Sequence, residues 1–170
     1  MKDFKKLSCT ELDFNVFEEI GKKMLLITAS DSETGRLNAM TASWGMMGIL
    51  WNKPVCALFI RPQRFTKPLV DGSGLFSVNV LSAGHGDAYR ICGTLSGRDN
   101  DKITMSKLTP FETDGVFGFE ESETVLVLKK LYQDEIGEGG FIDKGLLSNY
   151  SAKDYHAVYV CEIVAAYHRA

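Results

Sequence analysis

Leu75-Phe76-Ser77-Val78-Asn79-Val80-Leu81 alternates without a break: Phe76, Val78 and Val80 take one side, Ser77 and Asn79 the other. Side chains on a β-strand project to opposite faces in turn, so this stretch reads as a strand with one apolar face. Upstream, Val55-Cys56-Ala57-Leu58-Phe59-Ile60-Arg61 reads as a strand that is apolar on both faces. Residues 23–29 read as another buried strand, 31–35 as a turn, and 36–50 as an extended segment interrupted at Gly45 and Gly48. Residues 125–132 and 155–165 add two more strands, the last with Tyr155, Ala157, Tyr159, Cys161 and Ile163 on one face. Helical signals are short. Leu12, Val16 and Ile20 recur at four-residue spacing over 10–20, with Gly21 as a stop. A second helix is expected to start at Thr66 as N-cap, to tolerate Pro68 in its first turn and to end at Gly72 and Gly74. Ala88, Ile91, Cys92 and Leu95 mark a third, and 103–108 a further turn. Few and short, these helices do not alternate with strands as a parallel sheet requires. The expected fold is mainly β: an antiparallel six-stranded barrel with a few short covering helices.

Composition fits one domain over 1–170. Of 170 residues, 45% are hydrophobic and 24% charged, which argues against disorder. Nineteen basic against 22 acidic side chains give a net charge of −3, with no global attraction to nucleic acid or to an anionic membrane. An anionic ligand therefore needs a local basic site. Apolar runs such as 55–60 are far shorter than the ~20 residues of a membrane-spanning helix. The first residues are basic but lack the apolar stretch of a secretory signal, so a cytoplasmic location is expected. The four cysteines form no CxxC pair or Cys/His cluster, and Cys56 and Cys161 read as small core residues. No metal site is expected. Asn149-Tyr150-Ser151 matches a glycosylation sequon, without a signal that would expose it to glycosylation. Neither GxGxxG nor GxxxxGK[ST] occurs, so a bound nucleotide is not held by a Rossmann turn or a P-loop.

Four segments carry candidate chemistry. In Arg61-Pro62-Gln63-Arg64-Phe65-Thr66 a strand gives way to a helix start, where free N–H groups, the Arg64 fork and the Thr66 hydroxyl suit a monophosphate; the plain alternative is a solvated arginine beside a helix cap. The small, polar residues of Arg36-Leu-Asn-Ala-Met-Thr-Ala-Ser-Trp44 would let backbone N–H groups approach a flat ring, or simply form a strand with a packed indole. In Cys92-Gly-Thr-Leu-Ser-Gly-Arg-Asp-Asn-Asp-Lys102, small residues at Ser96-Gly97 precede Lys102, a compact cation for a phosphate or part of a solvated charge run. His85, between Gly84 and Gly86, is a candidate proton donor or an ordinary loop residue. His156 and Glu162 share a strand face but lie ~20 Å apart, too far for an acid/base pair.

In order along the chain, Asn38-Ala-Met-Thr-Ala-Ser-Trp44, Ile60-Arg-Pro-Gln-Arg-Phe-Thr66, Phe76-Ser-Val-Asn-Val-Leu81 and Cys92 to Lys102 resemble the flavin reductase-like family of FMN-binding split barrels. Asp154-Tyr155-His156 with Glu162-Ile163 resembles one branch of it. The resemblance implies a split barrel, a homodimer, and FMN in a groove near the subunit interface. It implies that Met40, Thr41, Ala42, Ser43 and Trp44 border the isoalloxazine and ribityl, and that Arg64 and Thr66 hold the phosphate with Lys102 assisting. Arg61, Pro62 and Ser96 complete the expected cofactor-binding set. The implied activity is an FMN-dependent oxidoreductase that passes a hydride from NAD(P)H to flavin N5 and electrons on to an acceptor. No catalytic side chain is expected, because the flavin carries the chemistry. The alternatives are a non-catalytic FMN electron carrier reduced by a protein partner, and a binding module for another phosphorylated ring. Reductases of this family often carry Gly-Asp-His in the C-terminal part; here 137–143 reads Gly-Glu-Gly-Gly-Phe-Ile-Asp, without the histidine. That departure bears on nicotinamide use, not on FMN binding.

Overall fold

Two long strands form the spine of the molecule in the computed structural model, which describes residues 3–170. β9 (Ser122–Glu135) and β10 (Ala157–Arg169) pair antiparallel over most of their length. Around them lie β1 (Phe4–Leu7), β2 (Leu25–Ser30), β3 (Leu37–Ala42), β4 (Gly45–Leu50), β5 (Lys53–Ile60) and β6 (Leu75–Leu81). The sheet runs β3-β2-β6-β9-β10-β5-β4, and every pairing is antiparallel. β1 shares an edge of β10 with β5, pairing the opposite end of that strand. A separate hairpin, β7 (Pro110–Thr113) with β8 (Val116–Phe119), lies over β6; the Ser77 hydroxyl donates to the Phe117 carbonyl.

The topology fixes where the site falls. β3 and β4 are the two ends of the sheet path, yet only Ser43 and Trp44 separate them in the chain. The sheet must therefore curl until its ends meet, and the barrel stays unzipped along a β3/β4 seam. The split barrel is mainly β as expected, but with ten strands among the described residues rather than six. The 36–50 segment is two strands broken at Ser43-Trp44, not at Gly45 or Gly48. β1, β7 and β8 are only four residues long each, too short for a clear alternation.

The core fills the barrel. Leu25, Ile27, Leu58, Phe76, Val78, Leu126, Leu128 and Tyr159 pack inside it, while Leu26, Ala39, Tyr89, Cys92 and Phe119 form a second cluster under the helices. Ala157, Tyr159, Cys161 and Ile163 face inward as expected; a bulge between Ile163 and Ala165 then flips the phase, so that Ala166 points in. Helices are short: α1 (Val16–Glu18), α2 (Thr66–Gly72), α3 (Gly86–Thr94) and α4 (Lys102–Met105). The helix expected over 10–20 starts only at Val16, where the Asn15 side chain accepts from the Phe17 and Glu18 N–H groups, and it continues as a π-helical turn. Before it the chain is extended, so Leu12, Phe14 and Val16 reach the core with a period of two. No helix among the described residues is long and apolar enough to cross a membrane.

Candidate functional site

β3 has a partner on one edge only. Its other edge faces the seam, so alternate backbone N–H and C=O groups there are outside the ladder. The Ala39 carbonyl, which accepts from Lys102 Nζ at 2.5 Å, lies on that free edge. Backbone direction repeats every two residues, so Thr41 presents its N–H on the same edge. A cavity of about 270 Å³ opens there, lined by Met40 to Trp44, Phe59, Arg61, Arg64 and His156. A smaller one, about 110 Å³, is lined by Gln63 to Thr66, Thr94 to Gly97 and Lys102. Arg64 lines both. The residues expected to border a ring and those expected to hold a phosphate thus fall into two adjoining cavities hinged on one arginine.

The small cavity is electropositive for a physical reason. Arg64 donates from Nη1 to the Gly93 carbonyl at 2.7 Å and from Nη2 to Cys92 at 2.8 Å. Lys102, 3% exposed, donates to Ala39 and, at 3.3 Å, to the same Cys92 carbonyl. No carboxylate of the described residues pairs with either cation. Burial pulls the Lys102 ammonium down to about 8, and the Arg64 charge pushes the same way; burial lowers Arg64 as well. An anion between them would supply the counter-charge that the protein does not.

Backbone contacts bring the parts together. Thr66 is not the N-cap: Phe65 takes that position, and Thr66 is fully buried with its hydroxyl accepting from Asn38 Nδ2 at 2.7 Å. That bond ties α2 to β3. Thr41 is tied to α3 through its hydroxyl, which donates to the Tyr89 carbonyl at 2.6 Å. Ser96 accepts from the Arg98 N–H and shapes the loop before Lys102. Gly97 has to be a glycine, since a Cβ would lie 2.2 Å from Asn38 Oδ1 and 2.8 Å from Phe65 Cδ1. The Asp101 side chain caps α4 by accepting from the Thr104 N–H, which sets Lys102 at the helix start.

The larger cavity holds a residue outside the expected cofactor-binding set. His156 lies just before β10, 6% exposed, its ring 5.0 Å from that of Trp44. Its Nδ1 and the Tyr150 hydroxyl are 2.9 Å apart. Burial holds the imidazole down to about 4, with the Arg61 charge adding, so it is neutral at pH 7. Only the fold brings His156 beside Trp44. Phe59 is also outside that set; the signal was β5 being apolar on both faces. Arg61 lines the cavity, but its charge is met by Asp154 at 2.5 Å, and it donates to the Asn149 carbonyl. It anchors the 149–154 segment that leads into His156. The structure places Pro62 in a different cleft, with Lys67 and Glu135, and His85 in another, with Met24 and His168.

Comparison with known proteins gives the arrangement a family. The profile described as flavin reductase like domain matches residues 17–170, and the chain belongs to that family. Over 94 residues it is 29% identical to the uncharacterized protein YddH of Escherichia coli (strain K12), covering 55% of this chain and 49% of that protein. The chain thus spans about half the length of that curated relative. Among solved structures it is similar to flavoredoxin from Methanosarcina acetivorans, with a TM-score of 0.69 and 21% identity over 86% of this chain and 68% of that one. It is also similar to an FMN-binding domain of a flavin reductases-like enzyme from Shewanella baltica OS155, with a TM-score of 0.68 and 16% identity over 98% of this chain and 77% of the other. At these identities the likeness is one of fold.

Proposed function

We propose that the chain binds FMN as a single functional unit over 1–170 and works as an NAD(P)H:flavin oxidoreductase. The observation that carries this reading is a pair of cations, half-buried Arg64 and buried Lys102, which meet at one small cavity without a carboxylate and adjoin a wider cavity walled by Trp44. The donor set fits the group: a guanidinium fork, an ammonium and the Thr66 hydroxyl for the phosphate, and a free strand edge for ring heteroatoms. When bound, the flavin supplies the hydride and electron chemistry. The protein's share is electrostatic and steric. Arg64 and Lys102 neutralise the phosphate. The outward N–H groups around Thr41 to Ser43 meet charge that develops on the pyrimidine side of the ring. Trp44 and the neutral His156 form an uncharged wall, which leaves the ring's redox balance to those N–H donors.

A second copy of the chain is the proposed partner of β4. This edge strand exposes Met46, Ile49 and Leu50, and Trp51 follows in its turn. Burial of such an edge beside the seam would also close the ring cavity.

The flavoredoxin likeness favours a second reading, a carrier reduced by a protein partner. The purified protein is expected to be yellow, with flavin absorption bands. Anaerobic mixing of the FMN-loaded protein with NADH or NADPH separates the readings. Rapid bleaching supports the reductase; no bleaching by either, with fast reduction by a ferredoxin, supports the carrier. Protein that stays colourless after incubation with excess FMN refutes both.

A further inference from the structure

The larger cavity contains a buried polar side chain whose bonding is incomplete. His156 is more than nine-tenths buried, and its Nδ1 lies 2.9 Å from the Tyr150 hydroxyl. No described residue bonds its Nε2. Yet among the described residues no side-chain nitrogen or oxygen is both sealed from solvent and without a partner. Nε2 therefore keeps an opening, and the cavity that His156 lines is the one bordered by Met40 to Trp44.

Tyr150 decides what that nitrogen presents. His156 is neutral at pH 7, so one ring nitrogen carries a proton and the other a lone pair. The Tyr150 hydroxyl is buried, and burial raises its pKa and keeps it protonated. It bonds no other described residue. A proton on Nδ1 would leave the hydroxyl proton without an acceptor, and a buried donor left unbonded is costly. The hydroxyl therefore donates to Nδ1, and the imidazole proton sits on Nε2.

The surroundings hold Tyr150 to this role. It closes the 3₁₀ segment Lys144–Tyr150, its ring edge-on to His156, 5.7 Å from Phe141 and 4.9 Å from Tyr155. The Arg61 guanidinium lies 5.3 Å from its ring centre and is itself paired with Asp154. Beside His156 the cavity thus offers an uncharged donor and no unpaired cation. That suits a carbonyl oxygen and gives a carboxylate no counter-charge.

We infer that Tyr150 is a positioning residue: its hydroxyl fixes His156 as a neutral Nε2–H donor, there to bond a carbonyl oxygen in the cavity. The inference rests on the reading that this cavity takes the flavin ring. Two sources supply such an oxygen, a carbonyl of the ring itself or an uncharged ketone held against it.

The first test is NMR of the FMN-loaded protein at pH 7, with histidine labelled with nitrogen-15. His156 is expected to show a protonated Nε2 and an Nδ1 resonance typical of a hydrogen-bonded acceptor. Tyr150→Phe removes only the hydroxyl and is expected to move Nδ1 to the position of an unbonded nitrogen. A proton on Nδ1, or an Nδ1 resonance that the variant leaves in place, overturns the inference. The same spectra are readable without flavin. Protein that binds no FMN but shows this tautomer refutes the flavin reading and not the positioning. The second test titrates FMN-loaded protein with acetophenone, with benzoate and with ethylbenzene, which has the ketone's shape without its oxygen, and follows the flavin absorption bands. A ketone held by His156 binds about tenfold more tightly than either of the others, the effect of one hydrogen bond, and loses that margin in His156→Phe and in Tyr150→Phe. A ring carbonyl held by His156 gives no such margin; FMN affinity instead falls about tenfold in His156→Phe and less in Tyr150→Phe. Absence of both effects overturns the inference.

Discussion

Arg64 and Lys102 show how a residue's role depends on what it lacks. A cation withdrawn from water with only carbonyl partners is electrostatically incomplete, and here the Cys92 carbonyl is shared by both side chains. Arg64→Ala should weaken FMN binding by about 10- to 150-fold, the 1.5–3 kcal/mol of a charge-assisted bond, and riboflavin binding much less. Equal losses for the two ligands in a fluorescence titration would mean that Arg64 does not touch the phosphate. Lys102 sets a pH dependence. Its ammonium, drawn down to about 8 by burial, loses its proton as pH rises through that value, and the attraction for a phosphate dianion goes with it. FMN affinity should therefore fall from pH 7.5 to pH 9 while riboflavin affinity stays flat, and Lys102→Met should abolish the slope. The motif around Arg64 was legible in the sequence. The burial of Lys102 was not, because a lysine after Asp99-Asn100-Asp101 has the composition of a solvated run.

Elements carry these side chains by a few tight contacts rather than by propensity. The loop between α3 and α4 is pinned at Gly97, which approaches Asn38 and Phe65 closer than any Cβ permits. Gly97→Ala must push the loop away, at a cost of about 1–3 kcal/mol of overpacking. The expected result is a melting temperature lower by several degrees together with weaker FMN binding, since Lys102 travels with the loop. A variant with unchanged FMN affinity would show that the loop does not set the lysine. Strands β2, β5 and β6 were readable because two-residue alternation and β-branched runs report a pleated surface directly. The β7–β8 hairpin was passed over although Asp114-Gly115, both at positive φ, is a strong turn pair. The helix expected at Leu12 failed because apolar residues spaced by four also fit an extended chain, and the Asn15 cap decided between them.

At the scale of the whole molecule, the unzipped seam is the decisive feature. It gives β3 its free edge, opens the cavity and leaves β4 exposed: Ile49 is 76% and Trp51 56% accessible. Static light scattering should find a dimer, and Ile49→Glu with Trp51→Glu should yield monomer with weaker FMN binding. A wild-type chain that runs as a monomer with full FMN affinity would refute the second-copy reading of this edge. The amino-acid sequence by itself determined the central strands β2, β5, β6, β9 and β10 and the antiparallel class, because each depends on neighbours within a few positions. Only the tertiary structure decided that the sheet closes without pairing β3 to β4, that Lys102 turns inward, and that His156 comes to rest against Trp44. Those outcomes depend on register and curvature summed over the whole sheet, which no local window of residues contains.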